Sequence, residues 1–157
     1  MTPRPALPSE HGAIAALWHA GWHDGHAGHV PESLVRLRTL SDFERRVADL
    51  PGLRVIGPEG APVGLCSVQE DELHQLYVAA EARGTGAAAA LVADAEARLS
   101  EAHGSAFLHC AIGNRRARRF YERMGWGFAR TETAMLRSAD GPYPLAVARY
   151  EKTFTLP

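Results

Sequence analysis

Residues 77–91 read YVAAEARGTGAAAAL, and this stretch governs the reading of the whole chain. Leu73–Val78 has the composition of a strand, Ala79–Gly86 is a polar loop, and a helix with Ala88, Leu91, Val92, Ala95 and Leu99 on one face follows. Gly84 and Gly86 let a backbone approach a ligand closely. The helix behind them aims unpaired amides and the positive end of its dipole at the same place, an arrangement that binds phosphate without a cationic side chain. A P-loop is excluded because no Gly-Lys-Ser/Thr follows. GTGAAA matches a dinucleotide-binding pattern formally, but Ala79–Arg83 separates it from its strand. Too little sequence follows for a second mononucleotide half.

Outward from this loop the elements alternate. Ser9 is expected to cap a first helix carrying Ile14, Leu17, Trp18 and Trp22, after which Gly21, Gly25 and Gly28 loosen the chain. Val30-Pro31-Glu32 opens a second helix, and Ser41 with Glu44 has capping-box spacing for a third. Leu53–Ile56, Val63–Gln69 and Leu73–Val78 form an antiparallel meander. Beyond the loop helix come a strand, Ala106–Ala111, a helix, Asn114–Met124, and two closing strands, Trp126–Leu136 and Leu145–Phe154. This order predicts an α+β (mixed α/β) single domain over residues 1–157, with helices packed on a mostly antiparallel sheet.

The chain has 157 residues and a formal charge of −1, which argues against a nucleic-acid or anionic-membrane binder. Sixteen of its seventeen basic residues are arginine, and five of them, Arg115, Arg116, Arg118, Arg119 and Arg123, crowd one helix. Cys66 and Cys110 sit in apolar runs and read as buried thiols. With no signal-like N-terminus and no long apolar span, a cytoplasmic protein is expected, with no membrane association. His19, His23, His26 and His29 crowd the early helices, but no His-Glu-x-x-His arrangement and no nearby cysteine completes a zinc set, so no metal is expected.

A second segment, Asn114-Arg115-Arg116-Ala117-Arg118-Arg119-Phe120-Tyr121-Glu122-Arg123-Met124-Gly125-Trp126, combines with the first. Together they resemble the GNAT superfamily of acyl-CoA-dependent N-acyltransferases. Arg83, Gly86 and Ala88 fill the family's Gln/Arg-x-x-Gly-x-Gly/Ala loop, and NRRARRFYERMGW fills its Asn-x-x-Ala-x-x-Phe-Tyr-Glu-x-x-Gly-Phe/Trp pattern. The resemblance is specific over Glu72–Phe128 and weak before Leu53. It implies a twisted, mostly antiparallel sheet of about six to seven strands flanked by about four helices, with acetyl-CoA as co-substrate and a small-molecule or peptide amine as acceptor. It places pyrophosphate on the amides of Gly84, Thr85, Gly86, Ala87, Ala88 and Ala89, with Arg83 also among the cofactor-binding residues, and the pantetheine arm along Leu76, Tyr77 and Val78. Asn114 caps its helix and contacts the cofactor arm, with Arg115 or Arg118 as candidate phosphate contacts. A homodimer is compatible with it.

Acyl transfer to an amine needs a polarised carbonyl, a base for the ammonium and an acid for the departing thiolate. The resemblance makes Tyr121 the acid. The base stays open among Glu72, His109, His74 and a water chain. Glu72 and His74 alternate onto one strand face with Leu76 and Val78. Trp22, His23 and His26, with Trp18 and Asp24, are candidates to line the acceptor site alongside Glu72 and His74, and the acidic residues Asp24, Glu70, Asp71 and Glu72 would favour a cationic amine. The competing reading is a non-catalytic acyl-CoA-binding sensor of the same fold.

Overall fold

A computed structural model describes residues 1–155. Seven strands form one sheet: β1 (Arg4–Pro5), β2 (Arg54–Ile56), β3 (Gly64–Gln69), β4 (Glu72–Val78), β5 (Ser105–Ala111), β6 (Gly127–Leu136) and β7 (Tyr143–Thr153), in the spatial order β1-β2-β3-β4-β5-β7-β6. Every neighbouring pair is antiparallel except β4 and β5. The helices are α1 (His11–His26), α2 (Glu32–Leu37), α3 (Leu40–Arg46), α4 (Ala87–Ser100) and α5 (Arg115–Arg123). Among the described residues no helix is long and apolar enough to cross a membrane.

Period-two alternation divides the sheet between two cores. Ile56, Cys66, Leu108 and Ala148 pack under α4 and α5 with Leu91, Val92, Tyr121 and Trp126. Their neighbours Val55, Leu65 and Val147 pack under α1–α3 with Ile14, Trp18, Leu34 and Phe43. Both helical layers are thus welded to one sheet.

Several local expectations change. Ser9 lies in a short 3-10 turn (Pro8–Glu10) and does not cap α1. That turn is secured by Glu10, whose carboxylate accepts from both Arg4 guanidinium nitrogens, from the Leu7 amide and from the Gly60 amide. The same cluster holds β1, which is too short to show in the sequence. Thr39, not Ser41, caps α3 by accepting from the Asp42 amide. Gly21 and Gly25 do not loosen α1, which runs on to His26. A Cβ on Gly21 would stand 2.8 Å from the Tyr77 ring, and one on Gly25 would stand 2.7 Å from Asn114 Nδ2. These glycines let α1 lie directly on β4 and on the start of α5.

Candidate active site

The site begins with an irregularity in β4. Ser67 pairs with Gln75 and Val68 with Leu73, so His74 is the extra residue of a bulge. The alternation expected from sequence breaks there. Glu72, His74, Gln75 and Tyr77 face the α1–α3 side, whereas Leu73, Leu76 and Val78 face α4. Glu72 opposite Phe107 is the one parallel pair between β4 and β5, so the strands part immediately beyond it. Two cavities occupy the parting, and Tyr77 lines both.

The larger cavity, about 370 Å³, is bounded by the Leu76–Val78 edge of β4, the Arg83–Ala89 turn, Gly21 and Gly25 of α1, and Asn114, Ala117, Phe120 and Tyr121 of the second motif. Gly84 and Gly86 have φ of 78° and 87° with no atom near a would-be Cβ, so left-handed conformation rather than space requires glycine there. Asn114 accepts from the Ala117 amide and so caps α5 while lining the cavity. Tyr121 is buried, and burial raises its phenol well above the ordinary value, with the Cys110, Cys66 and Tyr77 side chains adding to the shift. It therefore carries its proton across the physiological range.

Three arginines, Arg83, Arg116 and Arg123, line this cavity. Arg118 does not, because its Nε donates to the Tyr150 hydroxyl (2.9 Å) and its terminal nitrogen to the Ile112 carbonyl. Arg115 lies outside as well, beside Asp24 and His29. Asp24 does not reach the acceptor side: its carboxylate accepts from both Arg83 and Arg116. These two guanidiniums hold the Asp24 carboxyl below its usual range. Thr85 turns away and donates to the Ala82 carbonyl.

The smaller cavity, about 110 Å³, lies between the sheet and the early helices. Its sheet wall carries Glu72, His74 and His109; its helical wall carries Trp18, Trp22, His26, Arg38 and Arg46. His109 Nε2 donates to Glu132 (2.6 Å), and its Nδ1 lies 3.9 Å from Glu72. His74 Nδ1 stands 3.4 Å from the other Glu72 oxygen. The hydrogen bonds from His109 and Arg149 keep the Glu132 carboxyl below its usual range. That carboxylate orients the imidazole and leaves Nδ1 facing Glu72. His26 stacks on Trp22 at 4.5 Å and donates from Nδ1 to the Trp22 carbonyl; burial pulls its pKa down to about 4.

The sequence candidates are thus divided. Tyr121 and the cofactor-loop residues other than Thr85 line the large cavity, whereas Glu72, His74, His109, Trp22 and His26 line the small one. His23 lines neither, since its Nε2 donates to the Arg38 carbonyl at 2.6 Å. Glu70 is the left-handed turn residue between β3 and β4, and neither it nor Asp71 reaches a cavity. Sequence reasoning missed Arg38, Arg46 and Glu132. The only available hint was the i,i+4 spacing of Asp42 to both arginines, which reads as readily as an exposed helix face.

A sequence model of the acetyltransferase (GNAT) family matches residues 15–126, which spans both motifs and all of the lining of the larger cavity. The chain belongs to the acetyltransferase (GNAT) family. Solved structures agree at the level of fold. The GCN5-related N-acetyltransferase of Rhodopseudomonas palustris superposes with a TM-score of 0.76 at 20% identity, covering 98% of this chain and 95% of that one. YncA of Salmonella typhimurium, solved with its cofactor acetyl-CoA, gives 0.71 at 14% identity, covering 100% and 97%. The PaiA N-acetyltransferase of Thermoplasma acidophilum, in complex with coenzyme A, gives 0.63 at 15% identity, covering 98% and 100%. No curated protein matches the chain in sequence.

Proposed function

We propose that this GNAT chain transfers an acetyl group from acetyl-CoA to the primary amine of a small molecule or peptide, by direct attack of the amine on the thioester. The observation that carries this reading is the large cavity. The unpaired edge of β4, the amides at the start of α4 and the protonated Tyr121 phenol all border it.

The residues fit the group. The Leu76–Val78 edge has main-chain groups free to pair with the amides of a pantetheine arm as an added strand would. The Gly84–Ala89 amides, with Arg83, Arg116 and Arg123 around the opening, suit a pyrophosphate. Bound acetyl-CoA supplies an activated acyl thioester. Tyr121 gives its proton to the departing sulfur, and the parted β4 edge directs amide hydrogens at the thioester oxygen. Glu72, next to His109 and His74, takes the proton of the acceptor ammonium, directly or through water. The thiol chemistry supports direct attack over an acyl-enzyme route. Burial pushes the Cys110 thiol up to about 12, so it carries no nucleophilic thiolate at neutral pH.

The test is a thermal shift with acetyl-CoA, followed by thiol release over an amine panel. Stabilisation by acetyl-CoA is expected, because a native-state ligand must raise the melting temperature. No shift at millimolar concentration overturns the reading. Cofactor binding without turnover on any amine identifies a non-catalytic acyl-CoA sensor instead.

A further inference from the structure

The small cavity carries a charge pattern that the transfer chemistry does not use. Arg38 and Arg46 both reach it, and both lean on the same oxygen of Asp42, at 3.1 and 3.0 Å. Asp42 is the one carboxylate within ion-pair distance of either guanidinium among the described residues. A buried cation, Arg38, and a half-buried one, Arg46, therefore share one buried anion. Arg38 is 3% exposed and Asp42 is 3% exposed, so water does little to offset the surplus positive charge.

The hydrogen-bond accounts are also unbalanced on this wall. Arg38 Nε and Trp18 Nε1 are buried donors with no acceptor among the described residues, and both side chains line the cavity. Arg46 lies over the Trp18 ring at 4.6 Å, which draws the two arginines and the indole into one patch. Unpaired buried donors are costly and are rare in folded proteins. A group that only accepts, is planar and is negatively charged would satisfy both and would neutralise the surplus. The facing sheet wall is of the other sign, with Glu72 between His74 and His109.

We propose that the acceptor is a small amino acid or amino-acid-like amine, whose carboxylate sits on Arg38 and the Trp18 indole while its ammonium faces Glu72. The inference rests on the acetyltransferase reading and names the acceptor class for it. A volume of about 110 Å³ lies well below the ~300–1,000 Å³ of pockets for drug-sized ligands, so the acceptor is compact. A peptide amino terminus places an amide where the carboxylate is needed, and a simple alkylamine places nothing there. The amide's carbonyl oxygen can accept from a donor but the group is neutral, and the alkylamine brings no acceptor at all, so neither offsets the surplus positive charge.

The experiment pairs each of the common L-amino acids with its amide and its decarboxylated amine. Calorimetry or thermal shift without acetyl-CoA gives the binding readout, and thiol release with acetyl-CoA gives kinetics. At least one free amino acid should bind and should show a KM at least tenfold below that of its amide. Arg38→Gln should erase that difference while leaving the acetyl-CoA thermal shift in place. If this variant does not fold, the paired comparison on the wild-type chain still decides. Equal or better use of the amides or amines overturns the proposal, as does the absence of a response to every carboxylate-bearing amine. Stabilisation by acetate equal to that by any amino acid also overturns it, because it shows an anion site without an acceptor. Failure of acetyl-CoA itself to bind overturns the acetyltransferase reading instead and is scored separately.

Discussion

Tyr121 is buried and His26 half-buried, and loss of water acts on each by favouring its neutral form. For Tyr121 this keeps a proton on a phenol that lines the large cavity, as the proposed acid needs. Tyr121→Phe removes only the hydroxyl, so kcat should fall about 10²-fold or more. Acetyl-CoA binding, followed by calorimetry, should be unchanged. For His26 the consequence is a pH-dependent stability. Its folded pKa of about 4 lies below the ordinary value near 6.5, so protons bind the unfolded chain preferentially. Stability should therefore drop as pH falls from about 6.5 to about 4, by about 3 kcal/mol from this residue, and level off below. His26→Leu should flatten that window in denaturant titrations at successive pH values. Glu10 gives the opposite sign. Its hydrogen bonds from Arg4 pull its pKa down to about 2, so its contribution is complete above the ordinary glutamate range and is lost as pH falls toward 2. Glu10→Gln should lower the melting temperature at pH 7, with the difference from wild type shrinking in acid.

At the scale of the element, β4 and α1 carry the site between them. The bulge at His74 moves Leu76 and Val78 to the α4 face and brings Tyr77 onto the face of Glu72. Strict alternation, the only rule available for a strand in sequence, could not announce it. A bulge is specified by the partner strand and by what the helices on each face will accept. The glycines of α1 show the same limit. In an exposed helix, Gly→Ala gains roughly 1 kcal/mol from propensity. Gly21→Ala should instead destabilise, because the new methyl meets the Tyr77 ring at 2.8 Å and that ring lines both cavities. Thermal melting and acetyl-CoA affinity should fall together, which separates this effect from simple helix propensity.

Across the whole molecule, a net charge of −1 conceals a separation of charge. Arg83, from the glycine turn, and Arg116, from α5, converge on Asp24 of α1 at the mouth of the large cavity. Three elements distant in sequence meet there, and an anionic ligand in the cleft must compete with Asp24 for both cations. Asp24→Asn should tighten acetyl-CoA binding about two- to fivefold, the range of an exposed ion pair. It should also steepen the salt dependence. A titration at two ionic strengths checks both.

Much of this was legible in the sequence because it depends on local chemistry. The glycine turn needs positive φ, a capping asparagine serves its own helix, and apolar periodicities assign strands and helices whatever surrounds them. These features determined the fold class, the loop, the Tyr121 position and the family resemblance. What only the tertiary structure decided is which charges meet. Arg118 left the phosphate candidates for the Tyr150 hydroxyl, Asp24 left the acceptor pocket for two arginines, Arg38 and Arg46 joined the small cavity, and Glu132 took hold of its His109. Long polar side chains reach several ångströms from their backbone and select partners across the fold. Their roles are set by packing geometry and burial, not by neighbours in the chain.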